Sequence, residues 1–228
     1  MRVLDLFSGL GGWSQAFKDR GHSVTTVDIE PKFKPTICED IMNLKVIGRE
    51  IITPDLLFYG QFDIVLASPP CNCFSIASVY RHWNKDKTPK DEETRDSIKL
   101  IGHTIELILN LQPRFWILEN PRGMLRNVLG KPSVTTYWAS WQDDEERRET
   151  IKGFHDKRKP CLKPTDLWGV LPEGVDFSKP SEWIKASRGA TLGTQGIRDS
   201  AIRAKIPYGL SLAVCIACEK ELQVRRTK

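Results

Sequence analysis

Short, largely apolar runs recur along the first half of the chain, and each is followed within a few residues by glycine, proline or an acidic residue. The four clearest runs are residues 2–6, 23–27, 62–67 and 114–118. Runs of this length are typical of strands buried on both faces of a parallel sheet. Apolar residues at helical spacing follow the first run as far as Gly21 and return in residues 98–111. The pattern predicts an α/β fold with a mostly parallel sheet.

The remaining segments are less regular. A third short strand is predicted around residues 36–38. Residues 43–60, which contain Pro54, are predicted to form a helix and a linker. Residues 201–224 are predicted to fold back onto the core as a helix that ends in a basic tail.

Length and charge narrow the class of protein. The 228 residues allow one substantial α/β domain with a small appendage. A net charge of +5 permits a polyanionic partner without requiring one. No apolar run reaches membrane-spanning length and no signal peptide follows Met1, so we expect an intracellular, cytoplasmic protein with no membrane partner.

The six cysteines are scattered rather than spaced as a disulfide framework, which suits a reducing compartment. Cys215 and Cys218 have the spacing of half a metal site, but they lie in an apolar segment, and no second Cys or His pair stands at zinc-like spacing. Two buried helical thiols are the favoured interpretation. The sequence therefore predicts no metal site.

The loop after residues 62–67 carries the strongest chemical signal. Its sequence, Ser-Pro-Pro-Cys-Asn-Cys-Phe-Ser at residues 68–75, places Cys71 behind two prolines at the end of a buried strand. Open α/β sheets bind ligands at that edge, so Cys71 is a candidate nucleophile, with a buried structural cysteine as the alternative. The polar residues 80–95 that follow are interpreted as a solvated loop or as a mobile lid that touches a polyanion, and their position favours the lid.

Glycine or acidic residues follow each of the first three strands. The first is followed by the glycine-rich residues 7–12, the second by Asp28 and the third by Asp40. Glycines allow a ligand to approach the backbone closely, and a carboxylate after the second strand is placed to bind ribose hydroxyls, although Asp28 could also be a turn residue. These loops predict a nucleoside-binding crevice.

Glu119 directly follows the strand at residues 114–118 and lies one strand–helix unit beyond Cys71. The two side chains suit cytosine chemistry. A thiolate adds to carbon 6 of cytosine when a neighbouring acid protonates or hydrogen-bonds ring nitrogen 3. Apolar neighbours such as Trp116 and Leu118 would raise the pKa of Glu119 and keep it protonated.

Three motifs, in this order, resemble those of DNA (cytosine-5) methyltransferases, in particular the small phage or viral members with a reduced target-recognition region. They are Asp-Leu-Phe-Ser-Gly-Leu-Gly-Gly at residues 5–12, Pro-Cys-Asn-Cys-Phe-Ser at 70–75 and Glu-Asn-Pro at 119–121. Asn72 and Pro121 depart from the usual Pro-Cys-Gln and Glu-Asn-Val of the family. The resemblance covers most of residues 1–125 and returns at residues 206–211.

The resemblance implies a class I methyltransferase fold: a Rossmann-like, mostly parallel sheet with helices on both faces and a very small target-recognition insertion. It also implies S-adenosyl-L-methionine as cofactor, S-adenosyl-L-homocysteine as product and double-stranded DNA as partner, with the target cytosine flipped out. By position, the cofactor-binding residues would be Asp5, Phe7, Ser8, Gly9, Gly11, Gly12, Asp28, Ile29, Asp40, Ile41, Pro70 and Ser211. The catalytic residues would be Cys71, Glu119, Asn120 and Arg158.

The same resemblance divides the chain into three parts. Residues 1–137 would be the catalytic and cofactor-binding core, 138–196 the reduced recognition region and 197–228 a C-terminal helix that returns to the core. Arg158 and Lys163 would supply the phosphate or base contacts of the family's basic motif. So short a recognition region offers few side chains to base edges, which predicts relaxed specificity or a protein partner that supplies it.

Two alternatives stay open at this point. The same chemistry could act on tRNA, because a reduced recognition region suits a folded RNA that is recognised by shape. The chain could instead be a weakly active or inactive relative that binds nucleic acid and depends on a partner. The presence of both Cys71 and Glu119 argues against inactivity.

Overall fold

Strands and helices alternate through the computed structural model, which describes residues 1–55, 58–142, 162–179 and 200–226. The strands are β1 (Arg2–Leu6), β2 (Ser23–Asp28), β3 (Ile37–Cys38), β4 (Lys45–Ile47), β5 (Glu50–Ile52), β6 (Phe58–Gly60), β7 (Ile64–Ala67), β8 (Phe115–Pro121), β9 (Val134–Tyr137) and β10 (Pro164–Val170). The α-helices are α1 (Ser14–Asp19), α2 (Val79–His82), α3 (Glu92–Leu111), α4 (Arg126–Leu129), α5 (Ser200–Ala204) and α6 (Tyr208–Arg226). Single 3₁₀ turns lie at Pro31–Phe33, Ile41–Asn43 and Trp138–Ser140.

Seven strands form the central sheet, in the order β3-β2-β1-β7-β8-β10-β9. The first five are parallel to one another, and β10 is antiparallel to both β8 and β9. The strand order reverses between β1 and β7, which is where open α/β sheets form a ligand crevice. The predicted mostly parallel sheet is thus confirmed, and the loops after β1, β2, β3 and β7 all leave it at one edge.

Alternate side chains of the sheet enter two separate hydrophobic cores. In β1, Leu4 and Leu6 pack with the α3 side, whereas Val3 packs on the opposite face against α1 and α6. Successive side chains of a strand point to opposite faces, so apolar residues on both sides mark a sheet covered on both sides. Helices cover both faces, as predicted.

Two predicted helices have different bounds in the structure, because a capping residue lengthens one and a proline divides the other. α3 begins at Glu92 because the Asp91 side chain accepts a hydrogen bond from the Thr94 backbone N–H at 2.8 Å. The predicted C-terminal helix is broken into α5 and α6, with Pro207 at the break. Cys215 and Cys218 are buried in α6, as predicted, and burial raises the pKa of both thiols. No helix within the described ranges is long and apolar enough to span a bilayer.

The prediction of a helix and a linker for residues 43–60 is wrong. In this region β4, β5 and β6 form a small antiparallel sheet. Gly48, with φ of +68°, occupies the turn between β4 and β5 and favours a tight reversal. Ile51 is fully buried in the core on the α3 side, so packing of one face rather than a helical period determines the structure here.

Strand β10 lies within the segment 138–196 that the sequence assigned to target recognition. It pairs with β8 from Thr165 to Val170 and with β9 from Pro164 to Leu167. Asp166 in this strand is fully buried and accepts two hydrogen bonds from Arg126, one of them 2.6 Å long. Residues 164–170 therefore belong to the central sheet, and a DNA-contacting role for the rest of 138–196 stays a prediction.

The glycine-rich loop after β1 packs directly on the chain that leads into α6. A Cβ added to Gly12 would lie 2.4 Å from the backbone nitrogen of Ile206. We expect Gly12→Ala to lower the free energy of unfolding by about 1–3 kcal/mol, because backbone must move to admit the methyl group. Urea denaturation measures this, with Gly102→Ala as the control.

Gly102 is exposed in α3 and an added Cβ there meets nothing within 4 Å. That substitution is expected to stabilise the protein by about 0.5–1 kcal/mol through helix propensity. Equal effects of the two substitutions would contradict the close contact at Gly12.

Candidate active site

Cys71 and Glu119 lie on neighbouring parallel strands at the same edge of the sheet. Ala67 at the end of β7 is paired with Leu118 in β8, so Glu119 follows immediately in β8 while the chain after β7 turns into the Cys71 loop. The backbone N–H groups of Phe74 and Ser75 donate to the Cys71 carbonyl at 3.0 and 2.9 Å. Cys71 is half-buried on this tight turn and forms no disulfide bond.

The loops after β7 and β8 are fastened to each other. The fully buried Asn120 side chain donates to the Pro69 carbonyl at 3.0 Å, and the Met124 backbone N–H donates to the Phe74 carbonyl at 2.7 Å. A Cβ at Gly123 would lie 2.1 Å from the same Phe74 oxygen, so only glycine allows this approach. The two loops thus form one packed unit, in which Asn120 has a positioning role.

Glu119 is a buried acid with an unused oxygen. Its side chain is 4% exposed, and Oε1 has no hydrogen-bond partner among the described residues. Burial raises the pKa of Glu119 to about 7, against the opposing effects of the Lys163 charge and a hydrogen bond with Ser68. A carboxyl group with this pKa is about half protonated at neutral pH and mostly protonated below it, so its protonated form can donate a hydrogen bond.

Two neighbours of Glu119 have contacts that the sequence did not predict. Ser68, which also hydrogen-bonds Glu119, accepts a hydrogen bond from Trp13 Nε1 at 3.0 Å. Lys163 was predicted to contact phosphate or base. Its Nζ instead lies 3.1 Å from the centre of the Trp138 ring, and its positive charge lowers the pKa of Glu119. The only sequence signal for Ser68 is its place directly before the two prolines.

The glycine-rich loop after β1 takes an unusual backbone path. Phe7, Gly9 and Gly11 have φ values of 60°, 49° and 73°, in the left-handed region. The Gly9 backbone N–H donates to Asp28 Oδ2 at 2.8 Å, which joins the loops after β1 and β2. Asp28 also accepts from the Glu30 N–H at 2.9 Å, so it has the turn contacts of the alternative interpretation as well.

Asp5 is a second buried acid at this edge. Its Oδ2 accepts a hydrogen bond from Ser14, and its Oδ1 has no partner within the part of the chain that the structure describes. Burial raises the pKa of Asp5 to about 7; the Ser14 bond and the Lys18 charge oppose this, and the Asp28 charge adds to it. A buried carboxyl oxygen without a described partner, close to a second acid, favours a cationic or hydrogen-donating ligand, whose binding would favour the ionised form.

Four of the other predicted site residues lie in the loops that leave the carboxyl edge of the sheet. Ile29, 61% exposed, and the exposed Pro70 stand at the crevice edge with the loops after β2 and β7. Asp40 and the buried Ile41 begin the turn after β3, where Asp40 Oδ1 accepts from the Met42 N–H at 2.9 Å. The structure thus brings these side chains to the sheet edge where Cys71 also lies.

Three further residues have internal contacts instead. Ser8 and Gly12 are buried, and Gly12 contacts Ile206. Ser211 is fully buried, and its hydroxyl donates to the Trp13 carbonyl at 2.5 Å. This hydrogen bond joins α6 to the loop after β1. Arg158 lies outside the described residues.

The segment 80–95 is anchored beside the Cys71 loop. His82 and Trp83 are buried, and Trp83 Nε1 donates to the Cys73 carbonyl at 2.6 Å. Tyr80, by contrast, is 88% exposed. The segment is therefore not a uniformly solvated loop.

Comparison with known proteins agrees with this geometry. The profile of the family described as C-5 cytosine-specific DNA methylase matches residues 1–136. A probable DNA (cytosine-5)-methyltransferase of Frog virus 3 is 31% identical over 168 residues, which covers 69% of this chain and 74% of that protein. The type II methyltransferase M.XorII of Xanthomonas oryzae is 28% identical over 226 residues, which covers 82% of this chain but only 50% of the bacterial enzyme. The chain thus spans half the length of this bacterial relative.

Among solved structures, a candidate DNA modification methyltransferase from an Escherichia coli prophage matches with 18% identity and a TM-score of 0.42, over 75% of this chain and 46% of that one. The family profile and the strand order support the class I, Rossmann-like methyltransferase fold independently of that match. The profile also covers β1, β7 and β8, whose carboxyl ends carry the glycine-rich loop, Cys71 and Glu119. The chain belongs to the C-5 cytosine-specific DNA methylase family.

Proposed function

We propose that this protein is a DNA (cytosine-5) methyltransferase, which transfers the methyl group of S-adenosyl-L-methionine to carbon 5 of a flipped cytosine. The observation that carries the proposal is the fastening of the Cys71 loop to β8 beside Glu119, through the hydrogen bond between Asn120 and Pro69. A nucleophile and an acid whose pKa lies near neutral pH, held on one packed unit, are what addition to a cytosine ring requires.

In the proposed mechanism, the Cys71 thiolate forms a bond to carbon 6, and electron density moves to carbon 5 and nitrogen 3. Glu119 donates a hydrogen bond to nitrogen 3 and stabilises the charge that develops there. The cofactor supplies an electrophilic methyl group when bound. Carbon 5 would bond to that methyl group, and S-adenosyl-L-homocysteine would leave. Loss of the carbon 5 proton to solvent, with return of the electron pair of the carbon 6–sulfur bond to sulfur, then releases 5-methylcytosine and regenerates the thiolate.

The crevice between the loops after β1, β2 and β3 fits a cofactor of this type. S-adenosyl-L-methionine carries an ammonium and a sulfonium group, and Asp5 Oδ1 is a buried carboxylate oxygen without a partner in the described residues. Ile29 exposes an apolar surface next to Asp28, where an adenosine could pack. Asp5 and Asp28 would therefore orient the cationic and ribose parts, and Ile29 with Ile41 would flank the base.

Double-stranded DNA is the proposed substrate, and residues 138–196, apart from strand β10, are the proposed recognition region. The net charge of +5 is compatible with a polyanionic partner, and Arg158 would contact the phosphates if the resemblance holds there. Because the region is short, we expect limited sequence specificity.

Transfer of labelled methyl groups to duplex DNA, single-stranded DNA and total tRNA, followed by bisulfite mapping, tests this proposal. Methylated cytosine in duplex DNA is the expected result. Methylation of tRNA alone would replace the DNA proposal by the RNA alternative, and no transfer to any polymer with the cofactor still bound would favour a partner-dependent or inactive protein.

Replacement of Asp28 tests the cofactor crevice. Asp28→Ala is expected to weaken S-adenosyl-L-methionine binding roughly 10- to 100-fold, since it removes a charged hydrogen-bond acceptor and releases the Gly9 amide. Titration calorimetry measures the dissociation constant, with Glu30→Gln, an exposed neighbouring acid, as the matched control. An unchanged constant for Asp28→Ala would remove Asp28 from the site.

A further inference from the structure

A second group of chemically reactive side chains lies beside the Cys71 loop. Cys73, two residues after the proposed nucleophile, meets His82 at the end of α2 and Glu93 in the first turn of α3. One potential ligand atom from each of the three lies within 4.8 Å of the others. Cys73 and His82 are 1% and 3% exposed, whereas Glu93 is exposed to solvent. Sulfur, nitrogen and oxygen ligands thus converge on one point at the edge of the core.

The imidazole of His82 is held in a fixed orientation. Its Nδ1 lies 3.0 Å from Asp91 Oδ2, which leaves Nε2 as the ring nitrogen available to a ligand. Asp91 is itself fixed, because Oδ1 accepts from the backbone N–H and the hydroxyl of Thr94 at 2.8 and 2.6 Å. A carboxylate behind a histidine is the usual support of a metal-binding imidazole, since it fixes the orientation of the ring.

Hydrogen bonds also fix the position of Cys73. Its carbonyl accepts from Trp83 Nε1 at 2.6 Å, and its sulfur receives a hydrogen bond from the Ser97 hydroxyl at 3.3 Å. The backbone and the sulfur of Cys73 are thus both held in place.

A second group of a histidine, a cysteine and a glutamate is already occupied by contacts within the protein. His22, Cys215 and Glu219 also lie close together, but Arg20 forms a two-pronged ion pair with Glu219, at 2.9 and 2.6 Å. Both ring nitrogens of His22 have partners, Glu219 at 2.7 Å and the Met1 amino group at 3.2 Å. A cation would have to displace these pairs, so that group carries no site.

We propose that Cys73, His82 and Glu93 bind one divalent transition-metal ion of the zinc class, with solvent as the fourth ligand. Thiolate, imidazole and carboxylate are the ligands that Zn²⁺ takes in proteins, and three protein ligands with one open position is an established coordination pattern. The ion links the loop that carries Cys71 to α3. The proposed site differs from the expectation from sequence that the chain has no metal site, because its three ligands do not have the regular spacing in the chain on which that expectation relied.

Titration of the full chain with Co²⁺ tests the site, because a thiolate bound to cobalt gives a charge-transfer absorption band that Zn²⁺ then abolishes by displacement. We expect one equivalent of Co²⁺ to produce the band and Cys73→Ser to eliminate it. Glu93→Gln changes an exposed side chain, so the protein should fold normally while its metal affinity falls roughly 10-fold or more. Asp91→Asn should weaken binding roughly 10- to 100-fold through the histidine.

Two controls separate this site from other thiols and acids. Cys71→Ser should keep the band, and Glu92→Gln, an exposed acid next to Glu93, should keep the affinity of the unmodified protein. Absence of a stoichiometric band, a band that survives Cys73→Ser, or a band lost with Cys71→Ser would each overturn the proposal. Far-UV circular dichroism of each variant without metal confirms that the fold is intact.

Discussion

Cys71→Ser is expected to lower the rate of methyl transfer by about 10⁴-fold or more, on the scale found when a covalent nucleophile is removed. Serine keeps the size of the side chain, but its hydroxyl is scarcely ionised at neutral pH and does not add to carbon 6. The affinity for S-adenosyl-L-methionine should stay within about twofold, because Cys71 lies outside the loops after β1, β2 and β3 that form the crevice. The measurement is initial rate on duplex DNA together with calorimetry of the cofactor.

Two comparisons make this test specific. Asn72→Gln alters the exposed neighbour of Cys71 toward the usual residue of the family and should retain activity within severalfold. DNA that contains 5-fluorocytosine should form a covalent complex with the unmodified protein, because fluorine cannot leave from carbon 5 as a proton does, and no such complex should form with Cys71→Ser. Equal activity of the serine variant would remove Cys71 from the mechanism.

Glu119→Gln is expected to reduce the rate roughly 10²- to 10⁴-fold, the usual range for loss of a general acid. The substitution should also change the pH dependence. Since the pKa of Glu119 is raised to about 7, its protonated form is lost as pH rises through 7, and the rate of the unmodified protein should decline on the alkaline side. The glutamine variant does not titrate, so this decline should disappear from its profile.

The pH dependence of the free energy of unfolding tests the raised pKa of Glu119 independently of the rate. A carboxyl group whose pKa is raised by folding binds protons more tightly in the folded state, so its contribution to stability is lost as pH rises from about 4.5 to about 7. Asp5 acts in the same direction, so only the difference between the unmodified protein and Glu119→Gln isolates Glu119. Urea denaturation at pH 5 and pH 8 should show a smaller loss for the variant, with Glu106→Gln, an exposed acid in α3, as the control. Identical losses would mean that Glu119 is ionised throughout.

The parallel part of the sheet could be predicted from the sequence because its strands are apolar on both faces. Strands β1, β7 and β8 are long enough for that composition to be visible, and Cys71 and Glu119 follow from them by position alone. The small sheet of β4, β5 and β6 could not be predicted in this way. Strands of three residues have too few positions to show a period, so tertiary packing decides their structure.

Contacts between residues far apart in the chain account for the other differences between the structure and the predictions from sequence. Strand β10 lies between β8 and β9, where the buried Asp166 pairs with the half-buried Arg126, and no local sequence pattern predicts this pair. The electrostatic contact of Lys163 with Glu119 depends on the position of Trp138. The sequence thus predicted where Cys71 and Glu119 lie in the sheet better than it predicted the contacts around them.

The pairing of β9 with β10 has a consequence for how such proteins diversify. Tyr137 is paired directly with Pro164, and the Trp138 backbone N–H donates to the Lys163 carbonyl at 3.1 Å. The chain between them therefore leaves the sheet and re-enters it at a single point. Doubling the length of a flexible segment between two such fixed ends costs only about 0.6 kcal/mol of folding free energy, through loop-closure entropy. Segments of very different length could be grafted here, by evolution or by design, without displacing a strand that supports Cys71 or Glu119.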